Sequence, residues 1–214
     1  KIMFDKHGNR RSKYSNRIKF LWKKLQRDEF IRLFEEEYNK IKADESLNLV
    51  LPELKNEGMD PNIPVETASG DQFEAWKKRY VRPQKQDGLI SALLMLRLGD
   101  LKSSDAYKLC DFLEQFGENV MRCARGQNIY LRNIPEKYIG NLYNVLASLE
   151  DTLIDTPTMV GKMINCTGAQ TCKLGICLPR GLSDEIREEL MKTDLDLDSI
   201  PDFKIHMSGC PNTC

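Results

Sequence analysis

Four cysteines in two closely spaced pairs stand near the carboxyl end of this chain. Five residues separate Cys166 from Cys172, and three separate Cys210 from Cys214. Thiolates are soft donors that bind zinc or iron–sulfur clusters. Paired cysteines in structural zinc sites are usually separated by about two to four residues. The corners of a four-iron cluster lie several ångströms apart, so its paired cysteine ligands can be further apart in the sequence. The spacing therefore leaves three interpretations open: an iron–sulfur cluster, a zinc ion, or unligated thiols.

The full cysteine count favours metal or redox chemistry over disulfides. Seven cysteines cannot all pair within one chain, and the sequence shows no apolar core of a secretory signal. We therefore expect a cytoplasmic protein with reduced thiols. The other three cysteines are expected to be packing residues: Cys110 on an apolar helix face, Cys123 on a strand, and Cys177.

Composition argues against nucleic-acid and membrane partners. Lysine plus arginine equals aspartate plus glutamate at 32 each, so no global basic field exists to attract a polyanion. No apolar run reaches the roughly 18 residues of a membrane span. Charge is polarised locally, because residues 1–27 carry ten basic residues against Asp5 alone. This basic segment is interpreted as a solvated helical surface or as a surface that meets an anionic ligand or partner.

The chain is expected to contain four segments. Residues 1–50 have apolar residues at helical spacing, with Asp28 expected to cap a second helical stretch. Prolines and glycines make 51–75 a connector. Residues 76–152 are predicted to form a compact unit of strands and helices. Residues 153–214 are predicted to be the beginning of an α/β domain that carries the cysteine pairs.

The unit at 76–152 predicts an α+β fold. Residues 89–98 are apolar enough for a strand buried on both faces. A helix from Ser104 to Gly117, strands at 120–125 and 129–132, and a helix after Pro135 follow. Alternation of strands and helices over this length resembles half of a ferredoxin-like sandwich.

Each cysteine pair is predicted to begin where a strand ends. Residues 159–164 and 203–207 are short apolar stretches that lead into Cys166 and Cys210. Ser183 is expected to cap a helix between them. Strand ends are where α/β sheets usually build their sites.

The sequence motifs around the cysteines resemble those of the sirohaem-dependent nitrite and sulfite reductase family. The motifs are Cys166-Thr-Gly-Ala-Gln-Thr-Cys172-Lys-Leu-Gly and Met207-Ser-Gly-Cys210-Pro-Asn-Thr-Cys214. Residues 7–11, 82–88 and 122–128 are also similar to segments of that family, the last two to the second of its two ferredoxin-like repeats. The resemblance implies a C-terminal-central piece of such a reductase, truncated at the second cysteine loop.

The resemblance also implies roles for individual residues. Cys166, Cys172, Cys210 and Cys214 would bind a 4Fe-4S cluster, and Cys214 would also bridge to the sirohaem iron. Arg122 and Arg125 are the candidate catalytic cations. Gln127, Asn128 and Asn212 are the candidate cofactor contacts. For the residues of the 122–128 segment, the alternative is a polar strand end at a domain interface.

The implied activity is a six-electron reduction of sulfite to sulfide or of nitrite to ammonia, with ferredoxin or a flavoprotein as donor. The isolated piece is expected to be inactive, without sirohaem and with at most an incomplete cluster. The alternatives are a zinc- or simple iron–sulfur-binding module without haem, and an interaction domain that uses the basic residues 1–27.

Overall fold

The computed structural model describes residues 1–12, 14–51 and 60–210 of the chain. Contacts within the chain gather into two units, residues 1–53 and 54–214. Every helix in the described stretches is too short or too polar to span a lipid bilayer.

The first unit consists of helices α1 (Ile2–His7) and α2 (Ile18–Ile41). Helix α2 is interrupted at Gln26, which has φ 62° and ψ 171°. The predicted second helical stretch therefore exists, but it begins before Asp28. Beyond the break, acidic side chains pair with cations of the same helix, for example Glu36 with Lys40 at 2.8 Å. This half of α2 is therefore a solvated helix surface with internal ion pairs.

The second unit contains a four-stranded antiparallel sheet. Its strands are β1 (Val81–Pro83), β2 (Leu89–Leu94), β3 (Met121–Cys123) and β4 (Ile129–Pro135), in the order β1-β2-β4-β3. Helices α3 (Asp71–Tyr80), α4 (Ser103–Leu113) and α5 (Ile139–Ala147) share one apolar core with the sheet. This is the predicted α+β ferredoxin-like half-sandwich.

Three predictions about this core are wrong. Strand β2 was expected to be buried on both faces, but its burial alternates along the strand, so one face of the sheet stays accessible. In helix α4, Phe112 and Leu109 point inward, and Cys110 is exposed. Cys123 is also exposed, because it lies on the edge strand β3.

Residues 60–70, which the sequence assigned to a connector, pack along helix α5. The Asn141 side chain accepts a hydrogen bond from the Glu66 backbone N–H and donates one to the Pro64 carbonyl, both at 3.0 Å. Gly140 makes the close approach possible, because a Cβ there would lie 2.1 Å from the Glu66 carbonyl oxygen. The half-sandwich is therefore wrapped by its own preceding segment.

Asp60 anchors that segment and gives it a defined acid sensitivity. Its carboxylate accepts hydrogen bonds from the Lys137 ammonium at 2.5 Å and from the Tyr138 hydroxyl at 2.6 Å. These two donors, Lys137 first, lower the pKa of Asp60 to about 2. Because the folded state holds this pKa below its ordinary value, the carboxylate contributes stability above about pH 4 and loses it as pH falls towards about 2.

We therefore expect Asp60→Asn to flatten the acid limb of the stability curve. The wild-type chain should lose more stability than the variant between about pH 4 and about pH 2. Urea unfolding at a series of pH values measures this difference. Tyr138→Phe, which keeps the carboxylate but removes one donor, should shift the loss to higher pH. Parallel curves for wild type and Asp60→Asn would contradict the assignment.

The cysteine-bearing segment follows the half-sandwich. It contains α6 (Thr158–Gly161), β5 (Ile164–Asn165), α7 (Pro179–Met191) and β6 (His206–Met207). The predicted strands at 159–164 and 203–207 are therefore much shorter than expected, and the first of them begins as a helix.

The reasons for these differences are local. The apolar residues at 159–163 fill a small separate core with Leu197 instead of forming a ladder. Pro179 occupies the first turn of α7, where its missing N–H has no cost. Ser183 is consequently buried inside that helix and does not cap it.

Side-chain bridges join the half-sandwich to this segment. The Arg79 guanidinium binds both carboxylate oxygens of Asp198, with its shortest distance 2.7 Å. Arg97 makes a similar bidentate contact to Asp184 at 3.0 and 3.1 Å. Planar two-bond pairs of this kind fix orientation as well as distance. The cysteine loops are thereby held in one position against the sheet.

Candidate functional site

Strands β5 and β6 bring the two cysteine loops to one edge. They pair in parallel, with Ile164 opposite His206 and Asn165 opposite Met207. Because parallel strands end at the same edge, the loops that follow them, beginning at Cys166 and leading to Cys210, emerge side by side. The prediction that each cysteine pair begins at a strand end is confirmed.

The loop after Cys166 folds back over the second loop. The Gly209 carbonyl accepts hydrogen bonds from the backbone N–H groups of Ile176 at 2.7 Å and Cys177 at 3.2 Å. The Cys177 carbonyl in turn accepts one from Ala169 at 2.9 Å. Cys177 therefore holds the loops together through its backbone while its side chain is exposed, so its predicted packing role is wrong.

Two glycines allow the loops to touch. Gly168 has φ +58°, and a Cβ there would lie 2.2 Å from Pro179 Cδ and 2.4 Å from the Cys177 carbonyl oxygen. At Gly209 a Cβ would lie 2.8 Å from both Cys177 O and Gly168 Cα. No other residue type fits these positions without displacing backbone. The site is therefore built on backbone-to-backbone contact.

The Cys166 thiol is surrounded by hydrogen-bond donors. The Gly209 backbone N–H donates to Cys166 Sγ at 3.1 Å. This bond is the main cause that lowers the pKa of Cys166, and the Gly168 N–H and the Ser208 hydroxyl act in the same direction. Since the thiolate is the form that binds metal, the loop favours the state a ligand needs.

Of the other predicted ligands, Cys172 and Cys210 lie within the described residues. Cys172 is exposed, and its backbone N–H donates to the Gly168 carbonyl at 2.9 Å. Cys210 is half-buried. Cys214 and Asn212 lie outside the described residues. Within the described ranges no three histidine, cysteine, aspartate or glutamate side chains form a metal-binding group.

Gln127 reaches from the half-sandwich to the residue before Cys166. Its side-chain amide donates to the Asn165 carbonyl at 2.8 Å and accepts from the Asn165 N–H at 3.0 Å. Gln127 thus pairs with β5 as a neighbouring strand would. The sequence predicts Gln127 as a cofactor contact, and in the structure its side chain fixes the strand that presents Cys166.

The remaining polar candidates lie on the same hairpin. Asn128 is buried, accepts from the Leu96 N–H at 2.8 Å and donates to the Gly126 carbonyl at 2.9 Å. Arg122 and Arg125 are both exposed but line two different cavities. The structure therefore does not bring the two candidate catalytic cations together.

The donors at this edge fit an iron–sulfur cluster. Cluster sulfides and thiolates accept hydrogen bonds from N–H groups, and the Gly209 N–H already points at Cys166 Sγ. The Asn165 side chain adds a second observation: it is 3% exposed, and among the described residues neither its oxygen nor its nitrogen has a partner. A buried amide without partners is unusual and suits a neighbour that supplies acceptors.

The half-sandwich is the part of the chain that a known family matches directly. Residues 82–149 match the family described as the nitrite/sulfite reductase ferredoxin-like half domain. The match runs from strand β1 to the end of helix α5, so it covers the whole sheet and two of its helices. Over these residues the chain is similar to the ferredoxin-like half domain of nitrite and sulfite reductases.

Curated relatives of this chain carry names that agree with this similarity. The ferredoxin–nitrite reductase of Arabidopsis thaliana is 29% identical over 161 residues, covering 72% of this chain and 27% of the relative. The spinach chloroplast enzyme is 26% identical over 159 residues, with 72% and 26% covered. The Haloferax mediterranei assimilatory ferredoxin-dependent nitrite reductase is 26% identical over 163 residues, with 76% and 28% covered.

A solved structure shares the fold of this chain. The Mycobacterium tuberculosis NirA protein matches 96% of this chain and 34% of its own, with a TM-score of 0.64 and 21% identity. The chain thus spans about a quarter of the length of the curated relatives named above and about a third of NirA.

Proposed function

We propose that this chain is the part of a nitrite reductase that binds a 4Fe-4S cluster next to a sirohaem. The observation that carries the proposal is the pair of parallel strands that present Cys166 and Cys210, with the Gly209 N–H on Cys166 Sγ. The names of the relatives support nitrite as substrate and ferredoxin as electron donor, in preference to sulfite and a flavoprotein.

In this proposal Cys166, Cys172, Cys210 and Cys214 would hold the cluster, and Cys214 would in addition be a ligand of the sirohaem. When bound, the coupled cofactors would deliver electrons one at a time to a nitrite ion during its six-electron reduction to ammonia. The segment 153–214 is then the beginning of the cluster-binding domain, and 76–152 is the repeat that supports it.

The chain's own residues position and tune the site. Gln127 fixes β5 through two hydrogen bonds to the Asn165 backbone. The Gly209 N–H stabilises negative charge on Cys166, and donors of this kind raise the reduction potential of a bound cluster. Arg122 and Arg125 are exposed cations of the half-sandwich that an anionic substrate or cofactor could contact.

Cysteine substitutions in the whole protein test the cluster assignment. We expect Cys166→Ser, Cys172→Ser, Cys210→Ser and Cys214→Ser each to reduce bound iron and acid-labile sulfide about tenfold or more. Cys177→Ser is the matched control, because Cys177 lies in the same loop with an exposed thiol. It should retain wild-type iron. Stoichiometric zinc without sulfide, or full iron in Cys166→Ser, would exclude the proposal and favour the zinc module.

Steady-state assays of the same protein test the substrate. With reduced ferredoxin as donor, nitrite should be consumed with a kcat/KM at least about tenfold above that for sulfite. Faster reduction of sulfite would leave the cluster assignment intact and overturn the choice of nitrite.

A further inference from the structure

A second concave site lies beside helix α3. A cavity of about 450 Å³ is bounded by the last turn of α3, by the hairpin that joins β1 to β2, and by the start of helix α5. Organic ligands usually occupy cavities of about 300–1,000 Å³. Among the described residues, none that lines this cavity belongs to the cysteine-bearing segment. The cavity is therefore large enough for an organic ligand and is separate from the proposed cluster site.

The cavity is lined by unpaired charges of both signs. Its ionisable side chains are two cations, Lys77 and Lys78, and two anions, Asp87 and Glu136. Over the part of the chain that the structure describes, none of these four side chains forms an ion pair or a hydrogen bond. Opposite charges that line one cavity without pairing are held apart by it. Because the formal charge of the lining is zero, a simple anion or a simple cation meets as many like charges as opposite ones.

The acidic wall is fixed by backbone hydrogen bonds. The Glu136 N–H donates to the carbonyl of Gly88, the residue after Asp87, at 2.8 Å. The hairpin itself is closed by the Gln84 N–H, which donates to the Leu89 carbonyl at 2.9 Å. Both anions are therefore carried by one connected piece of backbone, which spares a ligand part of the cost of ordering its site.

The cationic wall is the last turn of helix α3. The Val81 N–H donates to the Lys77 carbonyl, and Arg82 Nη1 donates to the Lys78 carbonyl at 2.9 Å. Carbonyl groups at the end of a helix carry partial negative charge and would repel a carboxylate. Because these two carbonyls already have donors, the lysine side chains can present their positive charge to an anionic group.

The floor between the two walls is apolar. Val81 and Ile90 are only 9% and 5% exposed, and Leu89 and Ile139 are half-buried. Contact with such a surface favours a ligand with an apolar body, because that body leaves water when it binds. The cavity therefore calls for three features in one molecule: a negative group, a positive group and an apolar part.

We propose that this cavity binds an α-amino acid with a large apolar side chain. Lys77 and Lys78 bind its carboxylate, Asp87 and Glu136 bind its ammonium group, and its side chain packs on the apolar floor. Such a molecule is neutral as a whole, as the lining is. The site uses no residue of the cysteine loops and does not depend on the proposed reductase function.

An NMR titration of the isotope-labelled complete chain with L-phenylalanine tests the proposal. We expect one molecule to bind per chain with a Kd between about 0.1 and 1 mM, and the largest shift changes at amides of residues 77–90 and 136–139. Three analogues each lack one feature: 3-phenylpropionate has no ammonium, phenethylamine has no carboxylate, and glycine has no apolar side chain. Each should bind at least about tenfold more weakly.

Two double variants each remove the charge of one wall. Lys77→Gln/Lys78→Gln and Asp87→Asn/Glu136→Gln should each raise the Kd of L-phenylalanine at least about tenfold. The lysine double variant should bind phenethylamine as the wild type does, because that ligand has no carboxylate for the lysines to bind. Lys192→Gln is the matched control, since it removes the charge of an exposed lysine outside the lining. Thermal melts establish that each variant is folded.

The remaining outcomes decide against the proposal. Absence of binding to the wild type up to about 20 mM L-phenylalanine overturns it, and so do shift changes confined to residues outside the lining. Equal affinity for 3-phenylpropionate or phenethylamine would refute the pairing of two charges, and equal affinity for glycine would refute the apolar contact. Cys166→Ser should bind L-phenylalanine like wild type, so this site and the cluster can fail separately.

Discussion

Gly168→Ala is expected to lower the free energy of unfolding by about 3–5 kcal/mol, because it combines backbone strain with a steric clash. The φ of +58° disfavours any side chain, and the new Cβ would lie 2.2 Å from Pro179 Cδ and 2.4 Å from the Cys177 carbonyl oxygen. The clash lies between the loop after Cys166 and the start of helix α7. Urea denaturation followed by circular dichroism measures the loss.

Gly181→Ala provides the matched control on the same element. Gly181 lies inside helix α7 with nothing within 4 Å of a Cβ and without a positive φ. Alanine is a better helix former than glycine, so this change should stabilise the chain by about 0.5–1 kcal/mol. A loss below about 1 kcal/mol for Gly168→Ala would mean that the loop relaxes easily and that the close contact does not define the site.

Gln127→Ala is expected to cost about 1–3 kcal/mol and to release β5 at the point where it presents Cys166. The substitution removes both hydrogen bonds to the Asn165 backbone, and each such bond contributes about 0.5–1.5 kcal/mol. Since the Asn165 N–H loses its acceptor, its hydrogen exchange should accelerate more than that of the sheet core. In the whole protein, bound iron should fall with it.

Gln115→Ala is the control for Gln127→Ala. The Gln115 side chain is exposed and donates only to two carbonyls in the last turn of α4, which directly precedes it: Asp111 at 3.2 Å and Phe112 at 3.4 Å. It should change stability by less than about 0.5 kcal/mol and leave the Asn165 amide protected. Unchanged exchange at Asn165 in Gln127→Ala would show that β6 alone positions β5, and that Gln127 has no role in holding the site.

Local patterns predicted the half-sandwich well because its elements are long and periodic. Strand and helix propensity, with glycine and proline at the ends, placed the region from β2 to α5 nearly correctly. The wrong predictions concern which face of a helix a residue lies on and how long a strand is. The sequence predicts that Cys110 faces the core, because several of its neighbours in α4 are apolar. Successive helix positions differ by 100°, however, so the inward face can shift by one residue. The sequence predicts a strand at 159–164, but a short apolar run fits a strand and a buried helix turn equally well.

The sequence by itself determined the chemistry available to this protein: two spaced cysteine pairs, each directly after a short extended stretch, with glycines beside them. Only the tertiary structure decided how that chemistry is assembled. The parallel pairing of β5 with β6, the reach of Gln127 to Asn165, and the grouping of Lys78 with Glu136 around one cavity join residues about 40 positions apart or more. Propensity and periodicity act over a few residues, so contacts of this range arise only when the packed core fixes which segments become neighbours.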